Sequence, residues 1–188
     1  MSKLLFIFNL AIILKMMPFK CLNRKKMQQQ HSFGFEIFND ISELNKEDAA
    51  LMEEARKTTQ KAYAPYSNFL VGAAAIFNNG EKVYGTNQEN ASYPVGICAE
   101  RVLLASASMI QTDVPIKTMA ISYNNLSRTG NSNIPISPCG MCRQSLAEYE
   151  GRTKQPMRLI LSGMEGKVIV IESASQLLPF SFGSESMK

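Results

Sequence analysis

Two short stretches place chemically capable residues where helices are expected to start. In "YPVGICAERVLLASA" (Tyr93 to Ala107), Cys98 and Glu100 stand two apart at the head of an apolar segment. In "SPCGMCRQSLAEYE", Cys139 and Cys142 form C-x-x-C. Residues three apart lie on one helix face, so the Cys139 and Cys142 sulfurs can point to one spot. A helix N-terminus stabilises negative charge and lowers a thiol's pKa. Two such ends facing each other would gather three thiolates. Zinc takes four ligands in structural sites, but three protein ligands plus water in catalytic ones.

Other readings of these cysteines stay open on spacing alone. A C-x-x-C can be a redox pair, although a thioredoxin-like motif follows the first strand of its fold and this one sits late in the chain. A structural zinc site wants a fourth ligand, and neither Cys21 nor the single histidine, His31, has partner spacing. Three buried cysteines without metal are the plainest alternative, since free cysteine is often buried. Glu100 could merely favour its helix dipole. Beside an open zinc site it could instead take a proton from a metal-activated water. Three thiolates around Zn²⁺ leave a net charge of −1, and Arg101 and Arg143, close behind the cysteines, could offset it by donating to sulfur.

These residues need a scaffold, and the rest of the chain supplies one. "NKEDAALMEEARKTTQKAY" reads as a helix, with Asn45 as N-cap, acids in the first turn and lysines at the end. "FLVGAAAIF", the turn "NNG" and "EKVYGTNQ" read as a hairpin. "CAERVLLASASMIQ" is a helix, "IKTMAISYN" a strand, "NLSRTGNSNIPIS" a loop and "CGMCRQSLAEYE" a helix. "MRLILSG" and "KVIVIE" complete a strand pair, and "ASQLLP" is a short helical turn. "GFEIFNDISEL" reads only as a short extended segment and a turn. The order α-β-β-α-β-α-β-β predicts a five-stranded mixed sheet with helices on its faces.

A length of 188 residues suits one domain with a real core. The net charge of +4 hides an asymmetry. Residues 1–30 hold Lys3, Lys15, Lys20, Arg24, Lys25 and Lys26 and no acid, so the remainder carries 14 basic against 16 acidic residues, a net of −2. A domain that follows a phosphate backbone needs a basic surface, and this balance argues against nucleic acid as a partner. Near the N-terminus, "LLFIFNLAIIL" is an apolar run of 11 residues, short of the ~20 that a spanning helix needs. It resembles a signal-peptide core after Lys3, but no small-x-small cleavage site follows. Residues 1–26 are read as an extension, as a targeting or anchoring segment, or as a mis-assigned start. The last reading is preferred, because the globular pattern begins only after Met27. The expected organisation is therefore an extension over 1–26 and one catalytic domain over 27–188, with no membrane partner.

The wider pattern carries a specific resemblance. "CAE" followed by "PCGMCRQ" resembles the zinc deaminase signature in an all-cysteine form. "YAPYSNFLVGAA", "NQENASYPVGICAER", "ISPCGMCRQ" and "LLPFSFG" resemble the homotetrameric cytidine deaminases, over about Glu47 to Gly183. Ser92 stands where that family commonly has cysteine, at a position that is not a ligand. The resemblance implies a three-layer α/β/α sandwich and one zinc per chain on Cys98, Cys139 and Cys142, with Glu100 as proton shuttle. It implies that Phe69 stacks on the pyrimidine and that Asn87 and Glu89 hold a ribose hydroxyl. Ala91 and Tyr93 line the ribose end, Tyr93 and Phe182 reach a neighbouring subunit's site, and Arg101 donates to the zinc thiolates.

The reaction so implied is hydrolytic attack at C4 of cytosine, with Glu100 protonating N3 and helping ammonia leave. The product is uridine or deoxyuridine, made in the cytoplasm for pyrimidine salvage. A deaminase acting on a nucleic-acid base or on a nucleoside-like antibiotic is the alternative, and a zinc-stabilised module without activity is another. Asn87 and Glu89 favour a free nucleoside, since both would occupy the sugar, and Glu100 disfavours the inactive module. Standing two apart near a strand end, Asn87 and Glu89 are expected to point to one side.

Overall fold

Asn45 opens the first helix, α1 (Lys46–Thr58), by accepting the Asp48 N–H on its side-chain oxygen at 3.0 Å. Glu47 and Asp48 sit in the positive first turn, and Arg56 and Lys57 in the negative last one. The helix ends earlier than its sequence pattern suggests. After Thr58 the chain tightens into one 3-10 turn, Thr59–Lys61, whose Thr59 hydroxyl donates to the Arg56 carbonyl at 2.7 Å. Leu51, Met52 and Ala55 form its buried face.

That face covers one side of a six-stranded sheet in a computed structural model that describes residues 27–128 and 130–188. The strands are β1 (Glu36–Phe38), β2 (Phe69–Phe77), β3 (Lys82–Thr86), β4 (Ile116–Asn125), β5 (Arg158–Ser162) and β6 (Val168–Ile171), in the spatial order β1-β6-β5-β4-β2-β3. β4 and β5 run parallel, and the other neighbouring pairs are antiparallel. Two more helices complete the fold, α2 (Ala99–Ile110) and α3 (Gly140–Thr153). α3 makes the crossover between the parallel pair, as such a connection requires.

The sheet therefore has six strands where the sequence predicts five. The addition is β1, which pairs Glu36, Ile37 and Phe38 with Val170, Ile169 and Val168 of β6. A three-residue strand is too short to show an alternating pattern, so "GFEIFNDISEL" reads only as an extended piece.

Apolar clusters on the two sheet faces make three layers. Leu51, Met52 and Ala55 of α1 pack with Ala74, Ala120, Ile160, Val168 and Val170 on one face. Ala99, Leu103 and Ala107 of α2 and Leu146 and Tyr149 of α3 pack with Ala73, Ala75, Met119, Ile121, Leu159 and Leu161 on the other. This is the expected α/β/α sandwich. Two glycines set the spacing of the layers. A Cβ on Gly72 would strike the Ala55 carbonyl of α1, and one on Gly85 would strike the Ala99 carbonyl and the Leu103 amide of α2. Gly85 thus lets the start of α2 sit directly on β3.

Beyond β6, Glu150 of α3 holds the returning chain. Its buried carboxylate accepts the N–H groups of Met157 at 2.6 Å, Ala174 at 2.8 Å and Ser175 at 3.0 Å, and the Ser173 hydroxyl. Each of those donors would otherwise be left without a partner in a partly buried turn. Ser32–Lys188 forms one compact unit, divided from Met1–His31. Of the latter, residues 27–31 are described, and they carry no helix or strand. The expectations for residues 1–26, Cys21 included, lie outside the described residues. Among the described residues no helix is long and apolar enough to cross a membrane.

Candidate active site

Both cysteine-bearing helices begin on the cysteine itself. Cys98 is the N-cap of α2 and Cys139 the N-cap of α3, each in extended backbone, and neither side chain is used as a cap. A serine or aspartate at these positions would bond its side chain to the first-turn N–H groups. Cysteine leaves the sulfur free while the positive helix end still favours a thiolate. Cys142 follows in the first turn of α3 and is fully buried.

The three sulfurs meet. Cys98 Sγ lies 3.8 Å from Cys139 Sγ, Cys139 Sγ lies 3.3 Å from Cys142 Sγ, and all three fall within 4.8 Å of one another. Zinc–sulfur bonds of about 2.3 Å in tetrahedral geometry put neighbouring sulfurs about 3.8 Å apart. The donor set therefore fits Zn²⁺ in both chemistry and spacing, with one coordination position left for a non-protein ligand. His31 is exposed. Without a metal ion, hydrogen bonding from Cys142 draws the Cys98 thiol down, and the same contact pushes Cys142 up.

Glu100 stands in the first turn of α2, only 5% exposed. Burial raises its pKa, opposed by its own backbone N–H and by the Cys142 thiol. A carboxyl so placed exchanges protons nearer neutral pH than an exposed one does.

Cys98, Glu100 and Cys139 line a cavity of about 400 Å³, within the usual range for small-ligand sites. Phe69 and Val71 of β2 line it too, with Asn87 and Glu89 just beyond β3. The back of the Phe69 ring is stacked on Tyr123, with centroids 4.8 Å apart and planes 17° from parallel. Asn87 and Glu89 both line the cavity. The Asn87 amide accepts from Val71 N–H at 2.8 Å and donates to the Phe69 carbonyl at 2.9 Å. The Glu89 carboxylate accepts the N–H groups of Tyr66 at 2.9 Å and Ser67 at 3.3 Å. Hydrogen bonding from the Ser67 side chain and these two amides lowers its pKa, so it is a standing anion at neutral pH.

The remaining predicted residues are not gathered into this cavity. Ala91 and Tyr93 are exposed in the turn before Cys98, and Tyr93 is 76% exposed, edge-on to Tyr66 at 6.0 Å between centroids. Phe182 is 63% exposed near the C-terminus, its carbonyl accepting from Gln144 Nε2 at 2.7 Å. The Arg101 backbone N–H donates to the Cys98 carbonyl at 3.1 Å, while its guanidinium makes no hydrogen bond to a cysteine sulfur among the described residues and lowers the Cys98 pKa through its charge. Arg143 donates to the Pro138 carbonyl at 2.8 Å and the Leu177 carbonyl at 3.2 Å, and so braces backbone rather than sulfur.

Four lining residues escape the sequence reading: Ser67, Val71, Ile136 and Ser137. Val71 had a signal, since it lies two residues from Phe69 on the same strand face. Ile136 and Ser137 lie in an irregular loop before Pro138, where no periodicity points.

Comparison with known proteins settles the ancestry of this arrangement. Residues 45–155 match the family model described as the cytidine and deoxycytidylate deaminase zinc-binding region. The chain belongs to that family. The matched span contains all three clustered cysteines and Glu100, and stops short of Phe182. In this deaminase family the bound metal is zinc, and the cluster of Cys98, Cys139 and Cys142 is where the chain can hold one ion. A cytidine deaminase from Halalkalibacterium halodurans is 37% identical over 138 residues, covering 73% of this chain and 95% of that protein. One from Sporosarcina psychrophila is 33% identical over 137 residues, covering 73% of this chain and 92% of that protein. The crystal structure of cytidine deaminase from Burkholderia pseudomallei aligns with a TM-score of 0.61 at 40% identity, covering 74% of this chain and all of that one.

Proposed function

We propose that this family member hydrolyses cytidine and deoxycytidine to uridine and deoxyuridine, releasing ammonia. The observation that carries the reading is one cavity lined by two of the three clustered sulfurs, Cys98 and Cys139, together with the buried Glu100, the Phe69 ring and the polar Asn87 and Glu89. Relatives at 33% and 37% identity that are cytidine deaminases support it.

Cys98, Cys139 and Cys142 would hold Zn²⁺, which when bound would activate a water for attack near neutral pH. Phe69, its ring backed by Tyr123, stacks on the pyrimidine and fixes its plane. Glu100 takes a proton from the attacking water and delivers it to N3 of the base. The C4–O bond forms as N3 is protonated; Glu100 then carries the second proton, now on the C4 hydroxyl, to the amino group as the C4–N bond breaks. Ammonia leaves, and the carbonyl of uracil remains. Arg101 offsets the negative charge of the three thiolates through space.

Asn87 and Glu89 hold the ribose. Each retains capacity for this: Asn87 has a second N–H and a second lone pair, and Glu89 its other carboxylate oxygen. Sugar binding then positions the base against the reacting centre. Ala91 and Tyr93 line the ribose end, and Tyr93 and Phe182 serve a neighbouring subunit's cavity within a homotetramer. Their exposure, away from the cavity of their own chain, supports that role. The all-cysteine zinc form needs reduced thiols, which favours a cytoplasmic setting, where the reaction serves pyrimidine salvage. The catalytic domain spans 27–188.

Ammonia release from cytidine, deoxycytidine and cytosine tests the assignment. Both nucleosides are expected to react and free cytosine to react poorly, because it lacks the sugar. No ammonia from either nucleoside, or cytosine turned over as well as cytidine, would overturn the reading.

A further inference from the structure

The pairing of β2 with β3 stops one residue before Asn87, at Gly72 opposite Thr86. Beyond it, β2 still has Phe69 and Val71 to place, the two residues that form the cavity's side. The Asn87 side chain continues the ladder there. Its Oδ1 takes the Val71 N–H at 2.8 Å, its Nδ2 gives to the Phe69 carbonyl at 2.9 Å, and its backbone N–H reaches the Val71 carbonyl at 3.3 Å. Turning the amide over would set two donors and two acceptors face to face, so this network fixes its orientation. A second tie comes from Ser67. Its hydroxyl oxygen accepts the Phe69 N–H at 3.0 Å, while the same turn is held by Glu89.

We infer that Asn87 is a positioning residue for Phe69: its amide clamps the first turnless stretch of β2 so that the ring stands as the cavity wall before any nucleoside arrives. This goes beyond the sugar contact of the proposed function and rests on that reading only for its activity readout. A primary amide suits the task because it presents one donor and one acceptor side by side, the pattern of a peptide group. An aspartate of the same shape could still take the Val71 N–H, but would set an oxygen against the Phe69 carbonyl. The clamp also leaves one N–H and one lone pair of Asn87 unused, so the same orientation that holds β2 aims the rest of the amide at the cavity.

Three measurements decide the matter. In ligand-free protein, the Val71 amide should exchange hydrogen markedly faster in Asn87→Ala than in wild type, and unchanged exchange would overturn the clamp. This readout needs no substrate, so it stands even if cytidine is not turned over, an outcome that would instead sink the substrate assignment. For cytidine, Asn87→Ala should lose about 10²-fold in kcat/KM, the scale of a small misplacement. The Asn87→Ala, Phe69→Ala double variant should lose clearly less than the product of the two single losses, because the part of the Asn87 effect that acts through the ring disappears with the ring. Losses that multiply, as independent sites give, would mean that Asn87 acts on the sugar alone. Asn87→Asp keeps the shape of the side chain and its acceptors for a sugar hydroxyl. It should fall with Asn87→Ala, and near-normal activity would contradict the clamp.

Discussion

Cys139 does two jobs whose requirements coincide: it caps α3 and presents a sulfur 3.3 Å from Cys142 and 3.8 Å from Cys98. Removing the sulfur leaves a two-ligand site, too few for stable zinc binding. Cys139→Ala is therefore expected to lose both metal and turnover while the helix frays only slightly, since the parent thiol makes no capping hydrogen bond. Elemental analysis decides it, and full zinc in this variant would remove Cys139 from the ligand set. The metal residues and Glu100 were legible because cysteine is rare in this chain and its spacing at helix starts is informative. The structural duty of Asn87 was not legible. Its partners, Val71 N–H and the Phe69 carbonyl, are backbone groups 16 and 18 residues away, and no side-chain pattern announces a backbone contact. Arg143 shows the opposite failure. Proximity in sequence suggested donation to sulfur, yet the turn of α3 directs Arg143 to the Pro138 and Leu177 carbonyls.

At the scale of elements, the site depends on how closely α2 lies on the hairpin. Gly85 of β3 faces the Ala99 carbonyl and the Leu103 amide, both backbone groups of α2. A methyl group there has no flexible side chain to displace, so the helix itself must shift. Gly85→Ala is expected to cost about 1–3 kcal/mol, as overpacking does, and to move the helix start that carries Cys98 and Glu100. Thermal unfolding together with zinc content on the same sample checks this. A variant with wild-type stability and full zinc would show that α2 has slack. The long elements were readable from periodicity and caps: Asn45 before α1, the "NNG" turn between β2 and β3, and the apolar runs of β4, β5 and β6. β1 was not, since three residues give no period, and its strand character comes from pairing with β6 across the sheet.

At the scale of the whole molecule, one chain brings together the three-cysteine cluster, the buried Glu100 and Phe69, but leaves Tyr93 and Phe182 on its surface. Glu150 and Gln144 fix the C-terminal chain from α3, so Phe182 is presented from a tethered backbone. The proposed assembly follows from this: light scattering of active enzyme should give the mass of a tetramer. A fully active monomer would contradict shared sites. The central claim is that Glu100 moves the protons at a zinc site built by three cysteines. Replacing the carboxyl by an amide of the same shape, Glu100→Gln, with ammonia release from cytidine and zinc content measured on the same preparation, tests it most directly. The account predicts one zinc per chain in both proteins and a turnover lowered about 10²-fold or more in the variant. Near-normal turnover in zinc-replete Glu100→Gln would contradict it.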